Sequence, residues 1–263
     1  MLTQTQIEEI ANKLLDAERS REQIPAITQS HADMTVDDAY AVQFALVRRR
    51  ERCDGRVVNG KKVALTNPDV QKVLGVHEPL FGHLMSDMFV REGEPISCSL
   101  LTQAKIEPEI AFVMKSDLKG PGVTAAQVLA ATAGVMPAFE IPAARIKDWK
   151  FKLPDITADN AFAARVVLGG TITPVEGIDL RLVGVVLERN GVLVSTGAGA
   201  SAMGNPVEVV AWLANKLAQY GSGLKAGDVV LPGALVVAPD VQPGQFYKAT
   251  FDRLGSVSAL FIE

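Results

Sequence analysis

Apolar residues recur at helical spacing through the first fifty positions of the chain. Ile7, Ile10, Leu14 and Leu15 form one stripe, and a second run follows Thr35, where Thr35 and Asp38 have the spacing of a capping box with Asp in place of the usual Glu. In that second run Val42, Leu46 and Val47 would face a core. The basic residues Arg48, Arg49, Arg50 and Arg52 read as a solvated helix end favoured by the dipole. From Gly55 onward the pattern changes to short β-branched stretches between Gly, Pro and Asn, with long helical windows only near 124–132 and 206–219. The clearest hairpin joins residues 182–187 to 192–194 through Glu188-Arg189-Asn190-Gly191, because Asn-Gly supplies the positive φ angles of a type I′ turn. A further hairpin-like pair is expected between 227–237 and 246–262. The pattern predicts an α+β protein: a helical N-terminal segment, residues 1–55, packed on a mixed β-rich body, residues 56–263, as one integrated unit.

Composition narrows the chemistry by exclusion. With 263 residues and 48% hydrophobic content the chain can bury a real core. Its 26 Lys plus Arg against 30 Asp plus Glu give a net charge of -4, which offers no global field for nucleic acid or an anionic membrane surface. Cys53 and Cys98 lie in no short metal-binding spacing, so neither a disulfide framework nor a structural zinc site is expected. The start MLTQTQIEEIANKLL lacks the unbroken apolar run of a signal peptide, and no window approaches a membrane span of about 18 apolar residues. These features predict a soluble, cytoplasmic protein.

Candidate chemistry lies in a few polar residues set in apolar segments. Glu107 and Glu109 in KIEPEIAFVM are two apart on a predicted strand and so share a face, an arrangement best tolerated in water or around a cation. Pro108 between them removes a ladder donor and predicts an edge or irregular strand. Glu140 in VMPAFEIPAARI is a lone acid in an apolar stretch, and needs a cation, a proton or an arginine such as Arg145. Three carboxylates without suitably spaced histidine point to a hard cation, Mg²⁺ or Mn²⁺. His31, His77 and His83 have no ligand spacing and read as surface or loop residues.

In GKKVALTNP, strand alternation turns Lys62 inward if Lys61 is outward, as a salt-bridge partner or a proton-transfer group. Asn67-Pro68 reads as the start of a helix. Gly197, Gly199 and Ala202 satisfy GxGxxA, but the motif follows an antiparallel hairpin and has no acid about twenty residues on, so a dinucleotide site is rejected; close backbone approach explains the glycines better. Asp159-Asn160 in DITADNA reads as an Asx-type turn or as groups supporting a site. Arg165, six residues after Asp159, is a candidate for a substrate carboxylate or an ordinary ion pair.

Taken in order, MTVDDAYAVQ, GKKVALTNP, KIEPEIAFV, PAFEIPAARI, ITADNA, GVVLERNG, GAGASAMGNP, AWLANKL and LGSVSALFI carry a resemblance over essentially the whole chain. It resembles the fumarylacetoacetate hydrolase superfamily, in the branch of hydratases and decarboxylases of aromatic meta-cleavage catabolism. That resemblance implies the family's C-terminal β-rich fold, a Mg²⁺ or Mn²⁺ site at Glu107, Glu109 and Glu140, and a functional lysine at Lys62. Departures are Ala64 for the glycine after the lysine, Asn205 in the usual GHP and Pro232 in the usual TG. Leu80 replaces the acid that hydratases use to handle water, and Phe162 replaces a serine.

An aliphatic residue at Leu80, an FKFxL-like stretch at 151–153 and Arg165 resemble the decarboxylases; VALTNPDVQKVLGV and AWLANKL look more hydratase-like. The resemblance therefore implies decarboxylation of 4-oxalocrotonate, with hydration of a 2-hydroxy-2,4-dienoate as the alternative and a catalytically idle scaffold for a partner hydratase as the third reading. The catalytic candidates are Lys62, Asp159 and Arg165; Leu80, Asn160 and Phe162 would lie against substrate. In the hydration reading, Asp87 or Asp159 would stand in for the missing acid. A homo-oligomer, in complex with a dienoate hydratase, is the expected assembly.

Overall fold

Two threonines start the two long helices. In a computed structural model that describes the backbone of residues 1–263 and every side chain except that of Leu74, Thr3 and Thr35 each close a capping box, at the heads of α1 (Gln4–Ser20) and α2 (Val36–Asp54). Gly55 ends α2 in the left-handed conformation. The apolar stripes read from the sequence close on one another, with Ile10, Leu14, Val42 and Leu46 buried together beside Met34 and Ala158.

The remaining elements are β1 (Val58–Ala64), α3 (Pro68–Leu74), β2 (Leu80–Met85), β3 (Phe89–Arg91), β4 (Ile96–Ser97), β5 (Glu107–Met114), α4 (Ala125–Ala131), β6 (Thr132–Ile141), α5 (Leu153–Ala158), β7 (Arg165–Leu168), β8 (Gly184–Arg189), β9 (Val192–Ala198), α6 (Pro206–Gln219), β10 (Val229–Leu231), β11 (Phe246–Phe251) and β12 (Gly255–Ile262). They build a seven-stranded sheet in the order β2-β1-β10-β5-β6-β7-β3 and a five-stranded sheet in the order β4-β12-β11-β8-β9. Both contain parallel and antiparallel pairs, so the architecture is mixed α+β with a helical N-terminal region.

The predicted type I′ hairpin is present between β8 and β9, with φ of 52° at Asn190 and 76° at Gly191. The expected pairing of 227–237 with 246–262 does not form. β10 instead sits between β1 and β5, while β11 pairs with β12 and β8. The burial patterns explain the difference. Val229, Val230 and Leu231 are all buried and suit an interior slot, whereas β11 alternates exposed and buried residues as in a one-sided sheet.

Of the two placements expected for Pro108 the edge does not hold, because β5 is the central strand of its sheet, but its pairing is irregular there, with no β10 partner at Pro108. The proline is tolerated because β10 is short and pairs only with Phe112 and Val113, leaving the Pro108 carbonyl to accept from Leu235 N in the loop beyond. At the GxGxxA motif, a Cβ on Gly199 would lie 1.8 Å from the Leu180 carbonyl, so close backbone passage accounts for the glycine. No helix is long and apolar enough to cross a membrane.

Candidate active site

Strand register assembles the site. In the β5–β6 ladder Glu107 pairs with Glu140 and Glu109 with Ala138, so all three carboxylates leave the same sheet face. Val113 pairs with Val229 and Leu231 with Lys62, which continues that face across β10 to β1 and brings the Lys62 side chain onto it. Carboxylate oxygens of Glu107, Glu109 and Glu140 lie within 4.8 Å of one another. Glu109 and Glu140 are fully buried.

Lys62 Nζ lies 3.0 Å from Glu140 Oε1 and donates to the Ala161 carbonyl at 3.0 Å. The partner foreseen for Glu140 as an alternative, Arg145, lies elsewhere. Glu109 Oε2 accepts from the Gly233 amide at 2.6 Å, and here φ is 113° and a Cβ would meet Thr66 Oγ1 at 2.0 Å, so only glycine fits. Glu109 Oε1 and Glu140 Oε2 are buried without a hydrogen-bond partner among the described residues. Orphaned buried carboxylate oxygens, clustered with one cation against three acids, form a donor set suited to a hard divalent ion such as Mg²⁺ or Mn²⁺.

The electrostatics agree with that donor set. Burial, and then the neighbouring Glu140, push the Glu107 carboxyl up to about 7. Burial raises Glu109 well above the usual carboxylate range, with Glu140 and Glu107 adding to the shift, and burial raises Glu140 despite the opposing Lys62. Burial acts to lower the Lys62 amine, but Glu140, Glu107 and Glu109 outweigh it and hold the ammonium charged. A divalent cation would displace protons that the carboxyls otherwise keep.

A cavity of about 230 Å³ opens onto this cluster. Among the described residues, Lys62 and Glu107 are the only ionisable side chains that line it. Its far wall is apolar: Phe162 meets Trp149 and Phe151 edge to face, each at 5.1 Å between ring centroids, with Ile156 and Val236 beside them. Ala64 also lines the cavity, so this departure falls within the site. Leu80 is buried behind the wall, packed with Ala161 and Phe162, and not on the cavity surface.

Several expected site residues are placed elsewhere. Asp159 is fully buried in an ion pair, accepting from Arg145 Nε at 2.5 Å and from Arg145 N at 3.0 Å, while Arg145 Nη1 reaches the Ala163 carbonyl. Its carboxyl is pushed up to about 6 by burial against the attraction of Arg145. Both oxygens accept from Arg145, and Asp159 does not line the cavity beside Lys62, an arrangement that anchors Arg145. Asn160 is likewise consumed, its amide bonding the main-chain N and O of His83. Asn160 does not line the cavity beside Lys62. Arg165 pairs with Ile141 while Val166 pairs with Glu140, so Arg165 leaves its strand on the face away from the carboxylates. It lines a separate small cavity with Glu18, Arg21 and Arg145, apart from the cavity beside Lys62. Asp87 stands near Arg50 and Arg56, also outside the cavity.

Two further readings change. Lys61 is not outward; it is buried on the opposite face of β1 from Lys62, opposite His83 and near Asp228, and burial lowers its amine. His83 is neither surface nor loop but a buried β2 residue, with Nδ1 3.0 Å from Gln43 Oε1. The sequence reading also missed Gly233 and Ala161, which act through main-chain groups that leave no side-chain signal. Asn205 caps α6 through Val207 N, which gives this departure an ordinary structural role.

Residues 54–261 match the family described as fumarylacetoacetate (FAA) hydrolase, C-terminal. A 2-keto-4-pentenoate hydratase of Paraburkholderia xenovorans (strain LB400) is 43% identical over 260 residues, covering 99% of this chain and 96% of the relative. A 4-oxalocrotonate decarboxylase of Pseudomonas sp. (strain CF600) is 41% identical over 261 residues, covering 99% and 98%. Among solved structures, 4-oxalocrotonate decarboxylase from Pseudomonas putida G7, complexed with magnesium and adipate, superposes with a TM-score of 0.96 at 38% identity, covering 100% of this chain and 99% of that one.

Proposed function

From the premise that this chain belongs to the fumarylacetoacetate hydrolase family, we propose that it is a divalent-metal-dependent carbon–carbon lyase that decarboxylates 4-oxalocrotonate to 2-hydroxypenta-2,4-dienoate. One observation carries the choice of reaction. Among the described residues, the cavity wall offers no acid or base besides Lys62 and the proposed metal ligand Glu107, which suits a reaction needing an electron sink and one proton donor, and offers no further side chain to direct a water.

Glu107, Glu109 and Glu140 would hold Mg²⁺ or Mn²⁺. When bound, the ion supplies Lewis-acid stabilisation of charge at the 2-oxo oxygen, worth several kcal/mol. The substrate is a vinylogous β-keto acid. As its C5–C6 bond breaks to release CO₂, the electron pair spreads through C5 to C2 onto that oxygen. Lys62, held charged by its three carboxylate neighbours, donates the proton that converts the dienolate to the enol product. Phe162, Trp149 and Phe151 exclude water and leave the departing carboxylate poorly solvated, which favours its loss as neutral CO₂.

Hydration of 2-hydroxypenta-2,4-dienoate is the second reading, favoured by the 43% identity to a hydratase. Incubation with each substrate and Mg²⁺, followed by ultraviolet absorbance and CO₂ release, separates them. Turnover of the dienoate with no CO₂ from 4-oxalocrotonate would overturn the decarboxylase. A homo-oligomer in complex with a product-consuming hydratase belongs to the same reading, supported by outward apolar residues Val186, Leu193, Phe246 and Leu260 on the five-stranded sheet. Light scattering alone and with a dienoate hydratase tests both; a monomer without affinity for the hydratase would refute them. A cytoplasmic location fits the free thiols of Cys53 and Cys98, and fractionation of cells tests it.

A further inference from the structure

β2 is an edge strand of the seven-stranded sheet, with β1 its sole ladder neighbour. On its open side one side chain grips both main-chain groups of His83: Asn160 Oδ1 accepts from His83 N at 2.7 Å and Asn160 Nδ2 donates to His83 O at 2.9 Å. Only an amide offers a donor and an acceptor in that geometry; a carboxylate lacks the donor. The preceding residue, Gly82, pairs with Lys62 across the ladder. A Cβ on Gly82 would lie 2.5 Å from the Asn160 carbonyl and 3.1 Å from Ala161 Cβ, so the bare strand lets the segment lie against it.

Asn160, Ala161 and Phe162 are all left-handed, with φ of 51°, 54° and 59°. The turn sets its own shape through Phe162 N to Asp159 O and Ala163 N to Asn160 O. Those local bonds do not decide where the turn sits relative to β1. Longer-range bonds do: Ala143 N donates to Phe162 O and Arg145 holds Asp159 and Ala163 from the β6 side, while the Asn160 grip ties the turn to β2, the strand paired with β1, and the Ala161 carbonyl lies 3.0 Å from Lys62 Nζ.

We infer that Asn160 is a positioning residue for Lys62: by clamping residues 160–162 to His83 it seats the Ala161 carbonyl on the lysine ammonium and fixes that ammonium between Ala161 and Glu140. The inference rests on the reading of Lys62 as the proton donor. The Asn160 side chain faces β2 and does not line the cavity, so its influence passes through the main chain of Ala161.

The test uses the full chain with Mg²⁺ and 4-oxalocrotonate. Asn160→Gly keeps a residue at home in the left-handed region and deletes only the clamp. We expect kcat to fall about tenfold or more, with KM and the Mg²⁺ dissociation constant staying within about twofold. Gly82→Ala, whose Cβ would press on the Asn160 carbonyl and displace the segment while leaving the Asn160 amide side chain in place, should give the same split. Should Asn160→Gly not fold, Asn160→Ser, which retains one hydroxyl toward His83, should give a smaller loss of the same kind. An unchanged kcat with a lowered Tm makes Asn160 merely structural and overturns the inference; so does a raised KM at unchanged kcat. Lys62→Ala separates the two ideas. If it leaves kcat intact, the reading of Lys62 fails. If it abolishes turnover while Asn160→Gly does nothing, the positioning role alone fails.

Discussion

Lys62 Nζ stands 3.0 Å from Glu140 Oε1, and both groups are buried. The ammonium and a divalent cation held by the three carboxylates would therefore draw on the same Glu140 side chain. Lys62→Met would remove the proposed proton donor and, with it, a competing positive charge. Turnover should fall by about 10²–10⁴-fold, the usual contribution of a positioned acid or base. Mg²⁺ should bind as tightly as before or more so. Calorimetric titration of the variant checks this, and weakened Mg²⁺ binding would mean that Lys62 supports the metal instead of opposing it.

The same carboxylates make metal-free stability depend on pH in an unusual sense. The Glu107 carboxyl is raised from its ordinary 4.5 to about 7, and Glu109 and Glu140 are raised too. Below 4.5 both folded and unfolded chains hold the protons and no penalty exists. As pH rises from there to about 7 the unfolded chain releases protons that the folded chain retains, so stability is lost. Urea midpoints in EDTA should accordingly fall between pH 5 and pH 8. With saturating Mg²⁺, which binds the deprotonated site of the folded chain, the fall should vanish or reverse. Equal slopes with and without Mg²⁺ would show that these carboxyls are not the source.

Local patterns made much of this legible. The Thr35–Asp38 cap, the Asn190-Gly191 turn and the shared face of Glu107 and Glu109 each depend on residues within a few positions of one another, where backbone geometry leaves little choice. Partner choice was different. Glu140 lies 78 positions from Lys62 but only five from Arg145, and chain proximity favoured Arg145. The register of β1, β10, β5 and β6 decided otherwise, and the β6–β7 register turned Arg165 away from the carboxylates. β10 escaped correct pairing because three buried residues carry no alternation to say which neighbours they take. Main-chain donors and acceptors such as Gly233 N and Ala161 O were invisible, since any residue type carries them.

Gly233→Ala should damage the metal site without changing any ligand. Its Cβ would meet Thr66 Oγ1 at 2.0 Å, and φ of 113° lies outside the range that alanine adopts without strain. Relief requires the loop to move, which withdraws the amide from Glu109 Oε2. Mg²⁺ affinity should fall about tenfold or more, on the scale seen when outer-shell partners of metal ligands are removed. Calorimetry on the folded variant decides, and an unchanged Mg²⁺ affinity would show that the amide does not orient Glu109.

Asp159→Asn distinguishes a catalytic acid from a buried anchor. The substitution keeps the shape of the side chain but leaves the Arg145 guanidinium uncompensated in the interior, a change that typically costs about 3–5 kcal/mol. At roughly 2–4 °C per kcal/mol for a chain of this size, Tm should drop by about 6–20 °C. A catalytic acid would behave in the opposite way, with Tm nearly unchanged and kcat reduced by about 10²-fold or more. Because Asp159 lies outside the cavity, the folded fraction at low temperature should retain turnover within severalfold of the parent. Thermal melts and steady-state rates on the same preparation give both numbers, and a stable, inactive variant would restore Asp159 to the reaction.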